Sequence, residues 1–585
     1  MNEQGGGGRV AALAHRLGTA TLVHAGVRTG DAPAAGGPDA RERSHAACDP
    51  ALWTVGRERL HALLRAADDP TTTAEASAIG IERAVVEAVL GAPAELLVLL
   101  GGDSRVIPAD GRNPYGLPAF DREPRVRLSS CTASTPDARA LTTVGGWQRQ
   151  AAGRLARDGL DAAVGALRAG GVADVRRCFD LPEVLADRIA LSPSGTDAAS
   201  LVTAVAFSGS GRPLRIILVG SGESGAGTAL AAGGRRFRDV APFTAAGAVG
   251  DPLLGIDPAA ITVVDVALRD GAGRPRRAFD VEAEIEAHLE AGIDAAADVL
   301  VGVMYGSKTG IRVPDREWVR RWRSRHPDRL RIIVDAAQGR VSGRDTAEFL
   351  DAGASVLLSG SKAHGAPPFC GAVVFDASLV ADSERLSRLP AGLACSVARA
   401  DLPPMLRHAG DGFEPINLGL LARWRVAADE SERSRDYGRS ALVARRALVA
   451  ACRSALADLE NIVLLPPTPA DDTIVSFLVR SEYGDHRVFG KAGCRQIYDA
   501  VVANGVYIGQ PVELTAGGPA VLRVAVGTAT VNATVASGSD PVRYASGQAA
   551  IAVDAIRDGI LTADQVGTVR AEPLLRSLLE PSLLG

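Results

Sequence analysis

Between residues 188 and 375 the chain repeats one pattern: a short apolar, β-branched run followed by a stretch of helical periodicity. The runs begin at Arg188 (RIALS), Leu214 (LRIILVG), Ile261 (ITVVDVAL), Val299 (VLVGVMYG), Arg331 (RIIVDAA), Ser355 (SVLLSG) and Gly371 (GAVVF). A strand with one wet face would alternate, so this continuous apolar character predicts strands covered on both faces. Helical spacing fills 196–207, 281–291, 315–326 and 346–352. The alternation specifies an α/β fold: a seven-stranded, mostly parallel sheet with helices on both faces. The last two runs are joined by a connection too short for a crossover helix, so one edge is expected to be antiparallel.

The flanks are organised differently. Residues 1–50 open with MNEQGGGGRV and continue rich in Gly, Pro and Ala, which reads as a flexible N-terminal region. Residues 51–150 read as a helical and extended segment, with helical periodicity at 53–66 and 73–90 and a Pro/Gly-rich loop over 101–134. Residues 151–410 hold the large domain. Residues 411–585 read as a long helix at 427–459 and a smaller C-terminal α/β domain, with strands at 473–479 and 521–526 and helices at 494–503 and 545–556.

Bulk properties exclude several classes. A net charge of −4 and a pI near 6.2 make no electrostatic case for nucleic acid or an anionic membrane. No secretory leader is expected, and no apolar run is long enough to cross a bilayer. Seven cysteines without metal-type spacing fit a reducing, cytoplasmic setting, and no Cys/His cluster suggests a metal.

Ligands of α/β sheets sit beyond the carboxyl ends of the strands, so the polar residues there matter most. The first strand runs into Ser192-Pro193-Ser194-Gly195-Thr196 and a helix, which suits either a phosphate cup or an ordinary Ser/Thr N-cap. The fifth ends in Asp335-Ala336-Ala337-Gln338, where Asp335 serves as a turn residue or as the partner of a heteroaromatic nitrogen. The sixth ends in Ser359-Gly360-Ser361-Lys362-Ala363-His364. Lysine is scarce: of 64 basic residues only Lys308, Lys362 and Lys491 are lysines. Arginine stays protonated, whereas a desolvated lysine becomes a nucleophilic amine, so Lys362 stands where arginine could not substitute.

Together these segments resemble the fold type I pyridoxal-5′-phosphate (PLP) enzymes, particularly the class V aminotransferase-like group that contains cysteine desulfurases and kynureninase. Asp335 precedes Lys362 by 27 residues, a spacing similar to that group. The resemblance covers residues 181–375 well and the C-terminal domain loosely. It implies that Lys362 holds PLP as a Schiff base and that Asp335 pairs with the pyridine nitrogen. It further implies that Gln338 bonds the ring hydroxyl and that Ser194, Gly195, Thr196, Ser359 and Ser361 surround the phosphate. Ser307, in Ser307-Lys308-Thr309-Gly310, stands where the group has an Asn-containing stretch, and is expected near the cofactor. A homodimer with its active site near the subunit interface is also implied.

Substrate residues are less specific. Arg523 interrupts the apolar Val521-Leu522-Arg523-Val524 and reads as the arginine that grips a substrate carboxylate, or as an edge-strand residue facing solvent. Gly220-Ser221-Gly222-Glu223-Ser224-Gly225 fits G-x-G-x-x-G, so a nucleotide-binding oxidoreductase is an alternative. In the PLP group this loop supplies the ring-stacking residue. Only Glu223 or Ser224 is present here, so ring stacking is either absent or supplied from elsewhere, by Tyr305, His364 or Tyr115. Cys494, Cys370 and Cys395 read as structural.

The expected activity is therefore a PLP-dependent transferase or lyase acting on an amino acid, with transamination open. A carbon–carbon bond-forming enzyme is a further reading, joining an amino acid such as S-adenosylmethionine to a nucleotide-like, phosphorylated second substrate. It rests on the polar run 127–134 and on Arg235-Arg236-Phe237-Arg238.

Overall fold

The computed structural model describes residues 86–565, except 88, 104, 106–111, 119–120, 122–124, 130–133, 226, 240, 244–246, 415, 468–472 and 482–486. The helical patterns expected at 53–66 and over most of 73–90 lie outside the described residues. All seven apolar runs form strands: β1 Ile189–Ser192, β2 Leu214–Val219, β3 Ile261–Val266, β4 Asp298–Tyr305, β5 Leu330–Asp335, β6 Ser355–Ser359 and β7 Gly371–Val374. They lie side by side in the order β1-β7-β6-β5-β4-β2-β3, and the short Arg312–Val313 folds back antiparallel onto the end of β4.

The antiparallel strand is β7, but it is not at an edge. It sits between β6 and β1 and bonds to both, so β1 closes that side of the sheet. The opposite edge, β3, exposes Thr262 and Asp265, whereas β1, β6 and β7 are buried throughout. Alternating residues feed two cores. Leu300, Ile333 and Leu357 pack on one face against Leu201 and Val205 of helix Gly195–Ser210. Val301, Ile332 and Val334 pack on the other against Ile285, Trp318 and Phe349.

The smaller C-terminal sheet contains β8 Ile462–Leu464, β9 Ile474–Val479, β10 Gly509–Glu513 and β11 Ala520–Ala525, all antiparallel in the order β8-β9-β11-β10. Phe477 and Leu522 bury their side chains with Ile497 and Ile556 of the helices Lys491–Ala503 and Pro541–Gln565. The long helix expected at 427–459 is instead two, Leu418–Tyr437 and Arg439–Ala457. The break is Gly438, at φ +50° and ψ −118°, a backbone conformation closed to residues with a Cβ. Upstream, helix Ala138–Asp158 runs across the boundary expected at residue 150. Val126–Arg127 pairs in parallel with Val506–Tyr507, and Ser129 bridges to Ala525, so this stretch straps the C-terminal sheet.

Candidate active site

Strands β1, β2, β4, β5 and β6 share one direction, so their carboxyl ends meet on one side of the sheet. Register places Met304, Asp335 and Leu357 in one row across β4, β5 and β6. All three line a cavity of about 310 Å³. Side chains alternate along a strand, so Tyr305 faces the other way. Its ring packs edge-on to Phe349 at 5.2 Å, under the Arg312 guanidinium, and it does not line the cavity.

Lys362 lines the cavity with Ser359 and Ser361, whose hydroxyls lie 3.0 Å apart. The loop reaches this position because residue 360 is glycine. A Cβ there would meet Cys370 Sγ at 2.8 Å and Ala427 Cβ at 2.9 Å. Asp335 Oδ1 accepts the N–H of Ala337 at 3.0 Å, which turns the chain after β5 and fixes the carboxyl in the cavity wall. Gln338 also lines the cavity; it is buried, and its Oε1 has no hydrogen-bond partner. Such an atom costs about 1–3 kcal/mol unless something completes it.

Helix Gly195–Ser210 points its N-terminus at the same cavity, with Ser194, Gly195 and Thr196 in the wall. The N-cap reading of this segment holds. Ser194 Oγ caps the helix by accepting the N–H of Asp197 at 3.2 Å and donates to Asp197 Oδ2 at 2.6 Å, so its proton is committed. Gly225 lies against Thr196: a Cβ there would come within 2.9 Å of the Thr196 hydroxyl.

Behind the helix start lies a buried ion-pair network. Arg238 bridges Asp103 and Asp197, and Asp103 also pairs with Arg105 at 2.7 Å. Burial pushes the Asp103 carboxyl up, but Arg105 and Arg238 outweigh it and hold it below the usual carboxylate range. Arg235 donates to the Gly250 carbonyl at 2.9 Å. Arg235 and Arg238 are thus engaged within the fold. Within the run 127–134, Arg127 bonds Asp137 and the Thr135 carbonyl.

Glu223 lines the cavity but is fully engaged. It pairs with Arg269 and accepts the hydroxyls of Ser307, at 2.6 Å, and Thr309. Burial pushes its carboxyl up, and Arg269 with the two hydroxyls overcomes this, so Glu223 stays ionised below its ordinary range. Ser307 therefore does not reach the cavity; its hydroxyl holds Glu223 instead. The glycine loop is no pyrophosphate cradle either. Ser221 donates its N–H to Asp265, and the N–H groups of Glu223 and Ser224 close a tight turn on the carbonyls of Gly220 and Ser221.

His364 is also away from the cavity. Its Nδ1 meets Ser431 Oγ at 2.9 Å and its ring packs edge-on to Phe179 at 4.5 Å. Burial, with help from Arg340, pulls its pKa down to about 4, so the ring is neutral. Tyr115 does line the cavity, beside Arg105, and burial raises its phenol above the ordinary range. Arg105 and Phe369, which also line it, went unnoticed in the sequence. They sit in loops, and only the Asp103–Arg105 spacing hints that Arg105 is fixed in place.

Arg523 stands in β11 between Ser476 of β9 and Gly509 of β10, in the middle of the small sheet and not at its edge. It is 1 % exposed and lines the cavity, with Nη1 on the Lys308 carbonyl at 3.0 Å and Nη2 on the Gln510 carbonyl at 2.8 Å. Lys308 lines the cavity as well. Burial, with Arg523 and Lys362 nearby, pulls its ammonium down to about 8. Cys494 is buried against the Ala520 carbonyl, and burial pushes its thiol up to about 12.

No family model and no curated protein matches the sequence. Several solved structures are similar in fold to this chain. Cysteine desulfurase CsdA from Escherichia coli matches at TM-score 0.46 and 12 % identity, over 74 % of this chain and 94 % of that one. TDC from Oryza sativa, solved with PLP, matches at TM-score 0.47 and 16 % identity, over 77 % and 85 %. A C-DES variant with glycine covalently linked to its PLP cofactor matches at TM-score 0.46 and 14 % identity, over 70 % and 95 %. Among the described residues no helix is long and apolar enough to cross a membrane, and no cluster of His, Cys, Asp or Glu could hold a metal ion.

Proposed function

We propose that this chain is a PLP-dependent transferase or lyase acting on an amino acid, with Lys362 as the amine that holds the cofactor. One observation carries the reading: Lys362, Asp335, the unpartnered Gln338 Oε1 and the N-terminus of helix Gly195–Ser210 all line one cavity. The residues fit the group chemically. Gly195, Thr196, Ser359 and Ser361 supply small, donor-rich surroundings for a phosphate, which the helix N-terminus also favours. The buried Gln338 Oε1 is an acceptor that the ring hydroxyl would complete. Asp335 is a carboxylate for the pyridine nitrogen.

When bound, PLP supplies an electron sink for negative charge developing at the substrate Cα. The chain's own residues do the rest. Asp335 keeps the ring nitrogen protonated, which maintains that sink. Lys362 is the amine at hand to take and return a proton at Cα. Arg523, already fixed by two backbone carbonyls, presents its remaining N–H groups to a substrate carboxylate. Glu223 holds the Lys308 backbone in place, through the bond from the Lys308 N–H to the Glu223 carbonyl at 3.0 Å, and the Ser307 and Thr309 hydroxyls brace Glu223 in turn. The buried, protonated Cys494 offers no thiolate, which argues against desulfuration through that residue.

The visible spectrum of the purified protein with PLP, beside Lys362→Ala, tests the reading. A band that the substitution abolishes, and that an amino acid shifts, supports it. A protein that takes up no PLP refutes it. Product analysis then separates transamination from elimination or substitution.

A further inference from the structure

Two cations in the cavity wall, Lys308 and Arg523, make no direct salt bridge among the described residues. Arg105 is neutralised by Asp103, and Glu223 is taken by Arg269. Lys308 and Arg523 form no ion pair among the described residues, although Arg523 is 1 % exposed and its Nε has no hydrogen-bond partner. Desolvated charge without compensation is costly, so a site that keeps two such groups expects anionic groups from its ligand. Neither belongs to the set proposed above for the phosphate, Gly195, Thr196, Ser359 and Ser361. The two are also chemically unlike. Arg523 is a fixed planar fork suited to one carboxylate, whereas Lys308 is a point charge on a flexible stem that follows an anion at a less defined position. Scarcity sharpens the point: of three lysines in 585 residues, two line this cavity.

Resting on the PLP reading above, we infer that the substrate is a small amino acid whose side chain ends in a second anion, a carboxylate or a phosphate, with Arg523 taking the α-carboxylate and Lys308 the side-chain anion. The side chain is short, because a cavity of about 310 Å³ stands at the lower limit for ligand pockets and must also admit a cofactor. Burial lowers the Lys308 ammonium most, and the closeness of Arg523 and Lys362 adds the repulsion that an incoming anion relieves.

The test uses the PLP-loaded protein and follows the visible spectrum during titration, so binding is read without turnover. The probes are L-aspartate, L-glutamate and O-phospho-L-serine, each against its uncharged counterpart, L-asparagine, L-glutamine or L-serine. One charge-assisted contact predicts that an acidic probe binds about tenfold to a hundredfold tighter than its counterpart. Lys308→Gln should abolish that preference while leaving the uncharged probes unchanged, and Lys308→Arg should restore part of it. Preference for aspartate or glutamate identifies a carboxylate, and preference for phosphoserine identifies a phosphate. The inference is overturned if no acidic probe is preferred, or if Lys308→Gln weakens both classes equally. In either case a visible band that depends on Lys362 leaves the PLP reading standing. A colourless protein that binds no PLP removes both.

Discussion

Glu223 looks at first like a ligand, since it is an acid in the cavity wall where the resemblance leads one to expect a ring-stacking residue. Its partners make it a brace, and Glu223→Gln separates the two roles. The substitution keeps the shape and removes the charge, leaving Arg269, only 7 % exposed, without its counterion. Breaking one partner of a buried ion pair costs about 3–5 kcal/mol. The two hydroxyls that donate to Glu223 weaken from charge-assisted to neutral bonds, which keeps the loss in the upper part of that range. Replacing both partners, Glu223→Gln with Arg269→Gln, removes the bare charge and should recover about 2 kcal/mol relative to adding the single losses. The folded-state carboxyl is held below its free value of 4.5, so its contribution is present above that pH and is lost as pH falls through the lower folded value. The gap between wild type and Glu223→Gln should therefore be widest near neutrality and narrow in acid. Denaturant unfolding of the protein without added cofactor, at several pH values, measures this. A Glu223→Gln protein within about 1 kcal/mol of wild type, with no recovery in the double variant, would refute the brace.

Asp335→Asn should keep the cofactor bound, because the phosphate and ring-hydroxyl contacts remain, yet lose most activity; full turnover with saturating PLP would contradict the pairing of Asp335 with the ring nitrogen. Gly225→Ala pushes a methyl against the Thr196 hydroxyl and should weaken PLP uptake at least several-fold in equilibrium dialysis, with little change in thermal unfolding of the apoprotein. His364, neutral in the fold with its pKa drawn down to about 4, favours unfolding as pH drops below its free value of 6.5, since only the unfolded chain is protonated there. His364→Gln should flatten the stability profile between pH 6.5 and 4, and an unchanged slope would show that His364 titrates normally.

How much of this was legible in the sequence depended on how local the cause was. Strands such as GAVV announce themselves because both faces are buried and every residue must be apolar. Lys362 and Asp335 were legible because each polar residue ends such a run, where only a ligand-side role or a turn is available. The place of β7 was not, since a short connection dictates a reversal but not which neighbour covers the outer side. Gly438 hid within good helical periodicity, because the break depends on backbone direction and not on pattern. Ser307 and His364 are both held by partners distant in sequence. Each stands at a plausible distance in sequence from the cofactor residues, but Ser307 is claimed by Glu223, 84 positions away, and His364 by Ser431, 67 positions away. Arg238 likewise suggested a phosphorylated second substrate, and its partners Asp103 and Asp197 come from segments that only the folded chain brings together.

The central claim is that one lysine of three carries the cofactor. Borohydride reduction of the PLP-loaded protein, followed by protease digestion and mass spectrometry, reads this directly, since Lys308, Lys362 and Lys491 fall on separable peptides. The account predicts one reduced pyridoxyl group per chain, on the peptide containing Lys362 and absent from Lys362→Ala. A label on Lys308 or Lys491, or no label after incubation with excess PLP, would contradict it.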